Sequence, residues 1–398
     1  MRISTVTTPR RATLLSRAID YVELTKPRIA VLVLVSVAAG GFLASLGQPD
    51  PFALLHALVG TFLVAASASA FNHYLERDSD RRMQRTAGRP LPAGRLTEHE
   101  VLIFGTLMLV AGVAYVSITL GLWPLLFAGL SWVVYVLLYT PLKSRSHLNT
   151  HVGAISGALP VLIGASATGS HWQPAAALFC ILLLWQFPHF MAIAWLYRKD
   201  YGAAGLKMSP VVDPSGRHAG MQAVVCALML LPLSFLAATG HFPAWDAFWF
   251  MLLALLLGTA QLACAIAFCL NMNDTTARLL LRASLVYLPS LLILLLWFSA
   301  FSFLICRCRD SSDRPSWHTI RKTPATTIMA MFIWSTSQPC HCPKARCSCG
   351  YFSRRRSCSS RRSSAFIWSF ASAPLQGRGP RRTTFIWSNR LALSTPSC

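Results

Sequence analysis

Charge is the scarcest property of this sequence. Of its 398 residues only 13% are Asp, Glu, Lys or Arg, whereas a soluble domain carries about 25%. Hydrophobic residues make up 54%. That combination excludes a chain whose whole surface meets water. Length alone predicts two or three soluble domains, and the hydropathy overrides it. Acid is scarcer still, with 14 Asp and Glu against 36 Lys and Arg and a formal net charge of +22. The basic surplus is uneven. Residues 306–398 hold 16 Lys or Arg against only Asp310 and Asp313, and eight of the 12 cysteines. The other four, Cys180, Cys226, Cys264 and Cys269, stand singly in apolar segments, where a thiol behaves as a small hydrophobe. The first 305 residues and the last 93 have the composition of different material.

A helix needs about 20 mostly apolar residues to cross roughly 30 Å of hydrocarbon. Nine stretches qualify: 28–46, 52–72, 100–120, 122–141, 152–169, 174–196, 221–240, 245–270 and 280–305. The expected fold is therefore all-α, a polytopic membrane bundle of nine transmembrane helices. The turns at Gly121 to Pro124 and at Gly169 to Pro174 are short, and predict helical hairpins. The loops after helices one, three, five and seven contain no Lys or Arg, while every other connection does. This alternation fits the positive-inside rule with the N-terminus cytoplasmic. It places the chain in a bacterial inner membrane, or alternatively in the mitochondrial inner membrane. No nucleic-acid partner is expected.

Three regions follow: a basic arm (1–27), a helical domain (28–305) and a tail (306–398). The first 19 residues contain no acid and are rich in Arg, Ser and Thr, a composition shared with transit peptides. They are short and run straight into the first helix, which favours a topogenic arm. The tail repeats Phe-Ile-Trp-Ser at Phe332, Phe366 and Phe385. Its Cys340, Cys342, Cys347 and Cys349, with His341, are spaced Cys-x-Cys rather than the usual Cys-x2-Cys of a zinc site. A disordered, frameshifted extension accounts for it best.

The chemistry concentrates where helices end. Asn72, Glu76 and Asp80 recur at every fourth position just past helix two. On a helix they lie within roughly 80° of arc. Ionisable groups at a membrane boundary are costly and mark function. Hard oxygen donors on one face suit Mg²⁺, which binds through one or two carboxylates plus substrate phosphates. Arg81, Arg82, Arg85, Arg89 and Arg95 follow at once, and arginine's planar fork matches phosphate oxygens. Topogenic charge alone explains the arginines but not the carboxylates at helical spacing. A second polar run closes helix six, with Pro188, His189 and Phe190, then Tyr197, Asp200 and Tyr201. Asp200 can add an oxygen ligand, and the two tyrosines offer hydroxyls and electron-rich rings to a cationic centre. His189 can ligate a heme iron, although a lone histidine is more often a packing residue. Two anion-and-metal clusters beneath a lipid-embedded bundle suit a lipid diphosphate, whose departing charge Mg²⁺ and arginine stabilise.

At these residues the chain resembles the UbiA-type intramembrane prenyltransferases, and looks closest to their heme O synthase branch. The resemblance rests on Leu24-Thr25-Lys26-Pro27-Arg28; on Asn72, Glu76, Asp80, Met83, Arg85, Thr86, Arg89, Pro90, Pro92, Gly94 and Arg95; and on Tyr139-Thr140 with Lys143. It continues through Gly157, Pro160 and Gly164, Pro188-His189-Phe190, Asp200-Tyr201 with Ala204-Gly205 and Met208, and Pro210 to Asp213 with Gly216-Arg217. It covers about residues 20–300 and implies nine helices with two Asp-rich motifs. It also implies transfer of farnesyl from farnesyl diphosphate to a vinyl group of protoheme IX (heme b), with addition of water, to give heme O. Asn72, Glu76 and Asp80 would then hold diphosphate-bound Mg²⁺, with Asp200 as the further ligand. Arg85, Arg89, Lys143 and Arg145 would contact diphosphate, and Lys26, Arg28 and His189 would complete the substrate-binding set. A heme A synthase would act downstream. The sequence departs from the wider superfamily at Glu76, where an Asp is usual, and at Tyr197 and Tyr201, where many relatives carry Asp. The tyrosines favour heme over the rival acceptor, an aromatic quinone precursor. A transporter, the rival from another class, would place polar groups near the bilayer midplane rather than at helix ends.

If the tail is an extension foreign to the fold, removing residues 311–398 leaves prenyl transfer intact. An inserted but inactive truncation would contradict that reading.

Overall fold

The computed structural model describes residues 14–169, 171–236 and 244–312. The zinc-like cysteine spacing, the repeated Phe-Ile-Trp-Ser and the rest of the tail from residue 313, like the first 13 residues of the arm, lie outside the described residues. Within them all regular structure is helical. In chain order the helices are α1 (Leu14–Leu24), α2 (Pro27–Ala44), α3 (Pro51–Arg81), α4 (Glu98–Thr119) and α5 (Leu122–Val133). A π-helical turn (Val134–Tyr139) leads into α6 (Thr140–Arg145). Then come α7 (Asn149–Thr168), α8 (Trp172–Leu196), α9 (Arg198–Ala203), α10 (Ser209–Val212), α11 (Arg217–Leu236), α12 (Ala244–Leu270) and α13 (Asp274–Ser312).

Nine of these, with α5 to α6 taken as one, are long and apolar enough to cross a membrane. Each coincides with a stretch expected from hydropathy. The second span runs further than its apolar run, because α3 continues to Arg81 and so carries the carboxylates on an unbroken helix. Its start is set by Asp50, whose carboxylate accepts from the Phe52 and Ala53 N–H groups, with Pro51 in the first turn. A capping box of Thr97 and Glu100 opens α4. Outward positions such as Ile103, Leu107 and Val110 on α4 and Leu256 on α12 are exposed and apolar, as lipid-facing positions must be.

The arm proves to be partly ordered. In α1 the polar side turns inward: Arg17 pairs with Glu100, Asp20 with Arg95 at 2.7 Å, and Glu23 with Arg95 at 2.7 Å. Leu14, Leu15, Ile19 and Val22 face out. An amphipathic helix with its apolar side away from the protein is built to lie in the membrane interface.

The tightest packing joins α2 to α7. A Cβ on Gly164 would overlap the carbonyl oxygen of Val37, and one on Gly40 would overlap that of Val161. Lipid offers no hydrophobic drive between helices, so close backbone approach through small residues is what holds such pairs. Gly164→Val should therefore separate α2 from α7. The expected loss is about 3 kcal/mol, the upper part of the overpacking range, because the obstacle is backbone. Thermal unfolding in detergent measures it, and an unchanged melting temperature would refute the close approach.

Candidate active site

The last turns of α3 carry two enclosed carboxylates. Glu76 is 12% exposed in its side chain and accepts from Lys143 Nζ at 2.6 Å. Asp80 is 1% exposed and accepts from an Arg89 guanidinium nitrogen at 2.6 Å through Oδ2. Stripping one partner from a buried pair leaves an uncompensated charge and costs about 3–5 kcal/mol. These pairs fix the elements they bridge. Arg89 belongs to the loop after α3, whose Met83, Leu91 and Leu96 are buried. The Thr86 hydroxyl donates to the Asp80 carbonyl at 3.0 Å, and Gly94 takes a left-handed φ of 73°. Arg95 donates to the Gly88 carbonyl at 2.8 Å and ties the loop to α1.

Lys143 reaches Glu76 from α6, directly after the π-helical turn. Widening the helix there lets the Thr140 N–H donate to the Tyr135 carbonyl, which also accepts from the Thr140 hydroxyl at 2.8 Å. The turn and α6 present Tyr135, Tyr139 and Lys143 together to one cavity. The Lys143 ammonium lies 4.5 Å from the Tyr139 ring centroid, within range of a cation–π contact. Gly153 is needed opposite, since a Cβ there would come within 2.7 Å of that ring.

Lys26 enters from the head of α2 in a left-handed conformation, φ 50° and ψ 64°. A residue that is neither Gly nor Asn pays for this, and it precedes Pro27, which disfavours the right-handed alternative. Its ammonium donates to Asn72 Oδ1 at 2.5 Å, while Asn72 Nδ2 donates to Thr140 Oγ1 at 3.1 Å. Burial pushes the Lys26 pKa down to about 7. Glu76 opposes that fall and Arg89 and Lys143 add to it.

These groups close one end of a cavity of about 420 Å³, within the range of small-molecule sites. Lys26, Arg85, Arg89 and Lys143 line it with only Glu76 and Asp80 as carboxylates. Lys143 and Arg89 are spent on those carboxylates. Lys26 meets a neutral amide, and Arg85 lies 5.4 Å from the Tyr197 ring centroid. Among the described residues Arg85 thus has no carboxylate partner, and neither has Lys26, which is a cation when protonated; together they leave a charge surplus suited to an anion. Much of the remaining wall is apolar, with Ile29, Val33, Val64, Trp132, Ile163 and Phe190, interrupted by polar groups such as Thr61, Ser69, Ser156 and Gln186.

The residues expected at the site divide. Glu76, Asp80, Arg85, Arg89, Lys143, Lys26 and Tyr201 share the cavity. Asn72 does not reach it: it is fully buried behind Lys26, its amide taken by Lys26 and Thr140. Asp200 also fails to join. Tyr197, at the N-terminal cap of α9, and Tyr201 within it face each other, with ring centroids 6.4 Å apart, while Asp200 points outward and is exposed. Arg28 and Arg145 are exposed and off the cavity wall. His189 lies beside the cavity, its Nδ1 bonded to Ser284 at 2.9 Å. Tyr135, Tyr139 and Gln186 line the cavity unforeseen. Gln186 donates to the Ala154 carbonyl at 2.9 Å. An amide inside so apolar a run was the available signal, because such a group is costly unless bonded.

The four-ligand metal set is thus reduced to Glu76 and Asp80. No group of three or more His, Cys, Asp or Glu side chains among the described residues is gathered to hold a metal ion. Two carboxylates still fit Mg²⁺, which takes its other ligands from phosphate and water. Asp80 Oδ1 is buried and has no hydrogen-bond partner among the described residues, an unsatisfied oxygen of the kind that a bound cation takes.

Comparison with known proteins agrees with this geometry. Residues 33–286 match the UbiA prenyltransferase family. The chain is 42% identical over 287 residues to a protoheme IX farnesyltransferase of Solibacter usitatus, covering 68% of this chain and 95% of that protein. It is 40% identical over 286 residues to a protoheme IX farnesyltransferase of Rhodopirellula baltica, covering 69% and 98%. Its fold is similar to that of a UbiA homolog from Archaeoglobus fulgidus bound to GPP and Mg²⁺, with a TM-score of 0.52, 15% identity, and coverage of 69% of this chain and 99% of that one. With nine candidate spans among the described residues, two paired carboxylates and a cation surplus at one end of a largely apolar cavity, this polytopic membrane protein belongs to the UbiA prenyltransferase family.

Proposed function

We propose that this prenyltransferase moves a farnesyl group from farnesyl diphosphate to a vinyl group of protoheme IX and so makes heme O. The observation that carries the reading is the division of one cavity into a cationic end and an apolar wall, in a chain whose relatives are named protoheme IX farnesyltransferases. The diphosphate lies at the cationic end. Lys26 and Arg85 bind its oxygens directly, while Arg89 and Lys143 hold Asp80 and Glu76 in place beside it. Glu76 and Asp80 would hold Mg²⁺, which when bound would supply further positive charge to the leaving group. The isoprenoid chain lies along Ile29, Val33, Val64 and Ile163. The bond between farnesyl C1 and diphosphate oxygen breaks, and the electron pair leaves with diphosphate. The terminal vinyl carbon captures the allylic cation, and water adds to the adjacent carbon with loss of a proton. Tyr139 and Tyr201 present electron-rich rings to the transient cation, and the apolar wall keeps water away until the acceptor arrives.

The lysine and arginine pattern of the loops supports a cationic end on the inner side of the membrane, the cytoplasmic side of a bacterial inner membrane or, alternatively, the matrix side of the mitochondrial one, where a water-soluble diphosphate product is released. A heme A synthase is the partner that would take up the product.

Asp80→Asn tests the carboxylate directly. It keeps an acceptor for Arg89 and removes the charge. Purified variant should bind into membranes normally and lose farnesyl transfer to protoheme by at least about 100-fold, the size expected for one electrostatic group acting on departing charge. Near-normal turnover would remove the anion-and-metal argument.

A further inference from the structure

His189 is set up by its neighbours in a way that the cavity does not explain. Its Nδ1 lies 2.9 Å from Ser284 Oγ on α13. That hydroxyl has a single proton, and donates it to the Leu281 carbonyl at 2.7 Å. With that proton committed to Leu281, Ser284 accepts from Nδ1, and the neutral imidazole then has its lone pair on Nε2. Nε2 has no hydrogen-bond partner among the described residues, yet it is not sealed in as the two ring nitrogens of His73 are. The ring is held flat by Trp185, with centroids 4.8 Å apart and planes 21° apart. Trp185 is itself anchored by its indole N–H to the Ser284 carbonyl at 2.8 Å. A neutral imidazole with one nitrogen fixed by a hydrogen bond and the other bare is the arrangement of a metal ligand and its supporting shell.

Position adds the second argument. Trp185 and Ile193 stand one turn to either side of His189 on α8. Ile193 lines the cavity and Trp185 meets α13. His189 thus falls at the seam between the cavity and α13, about 10 Å along the helix from its polar end at the usual rise per residue. It sits at hydrocarbon depth, where an apolar macrocycle lies and a free metal ion does not.

We propose that His189 Nε2 is an axial ligand to the acceptor's iron, and that Ser284 is the positioning residue that sets its tautomer. Ligation would select a metallated tetrapyrrole and hold its edge toward the cavity. The inference rests on the heme reading of the preceding subsection.

The test is a titration of the purified full chain, in lipid nanodiscs, with ferric protoheme and separately with metal-free protoporphyrin IX. The wild type should give the absorption and Raman signature of nitrogen ligation. His189→Ala should lose it and bind heme about 10- to 100-fold more weakly, with imidazole restoring the signature. Ser284→Ala should keep the signature and bind about 10-fold more weakly, with Ser284→Thr restoring affinity. Metal-free porphyrin should bind wild type and both alanine variants alike. A wild-type heme complex without nitrogen ligation, or a His189→Ala complex with unchanged spectrum and affinity, overturns the ligation and leaves the acceptor reading standing. Failure of the wild type to bind heme at all overturns both.

Discussion

Two buried ion pairs set the conditions for the rest of this structure. A carboxylate inside a membrane bundle is tolerable only with a partner, and here the partners come from elsewhere in the chain. Asp80 on α3 draws in the loop that carries Arg89, and Glu76 draws in α6, which carries Lys143. The same contacts close one end of the apolar cavity. Structural stability and the proposed anion recognition therefore depend on the same four side chains, with Lys26 and Arg85 supplying the cationic surplus.

The irregular backbone gathers around those pairs. The π-helical turn and the start of α6 bring Tyr135, Tyr139 and Lys143 to one wall, and π-bulges are frequent at functional sites. Lys26 sits left-handed at the head of α2. Elsewhere the helices are regular, and prolines such as Pro160 and Pro188 are carried within continuous helix. The distortion is spent where polar groups must converge, while the opposite faces of the same helices meet lipid with ordinary apolar side chains.

Most of the fold was legible because hydrophobic length and loop charge are direct consequences of a bilayer. All nine spans were expected from these two signals, and the four-residue spacing of Glu76 and Asp80 announced their shared face. What stayed hidden depends on rotation and on long-range partners. Asn72 has the same spacing as the two carboxylates, yet Lys26 and Thr140 take its amide and it never reaches the cavity. Asp200 sits between two tyrosines in sequence, and the short helix that turns Tyr201 inward turns Asp200 out. The order of α1 was missed because Asp20 and Glu23 find Arg95 some seventy residues away, and no local pattern encodes that pairing.

Heme extraction and mass analysis test the central claim most directly. Residues 1–398 would be expressed in a bacterium lacking its own heme O synthase. The account predicts accumulation of heme O, which would establish donor and acceptor together. A folded, membrane-inserted protein that yields only heme b, or that prenylates an aromatic quinone precursor instead, would contradict it.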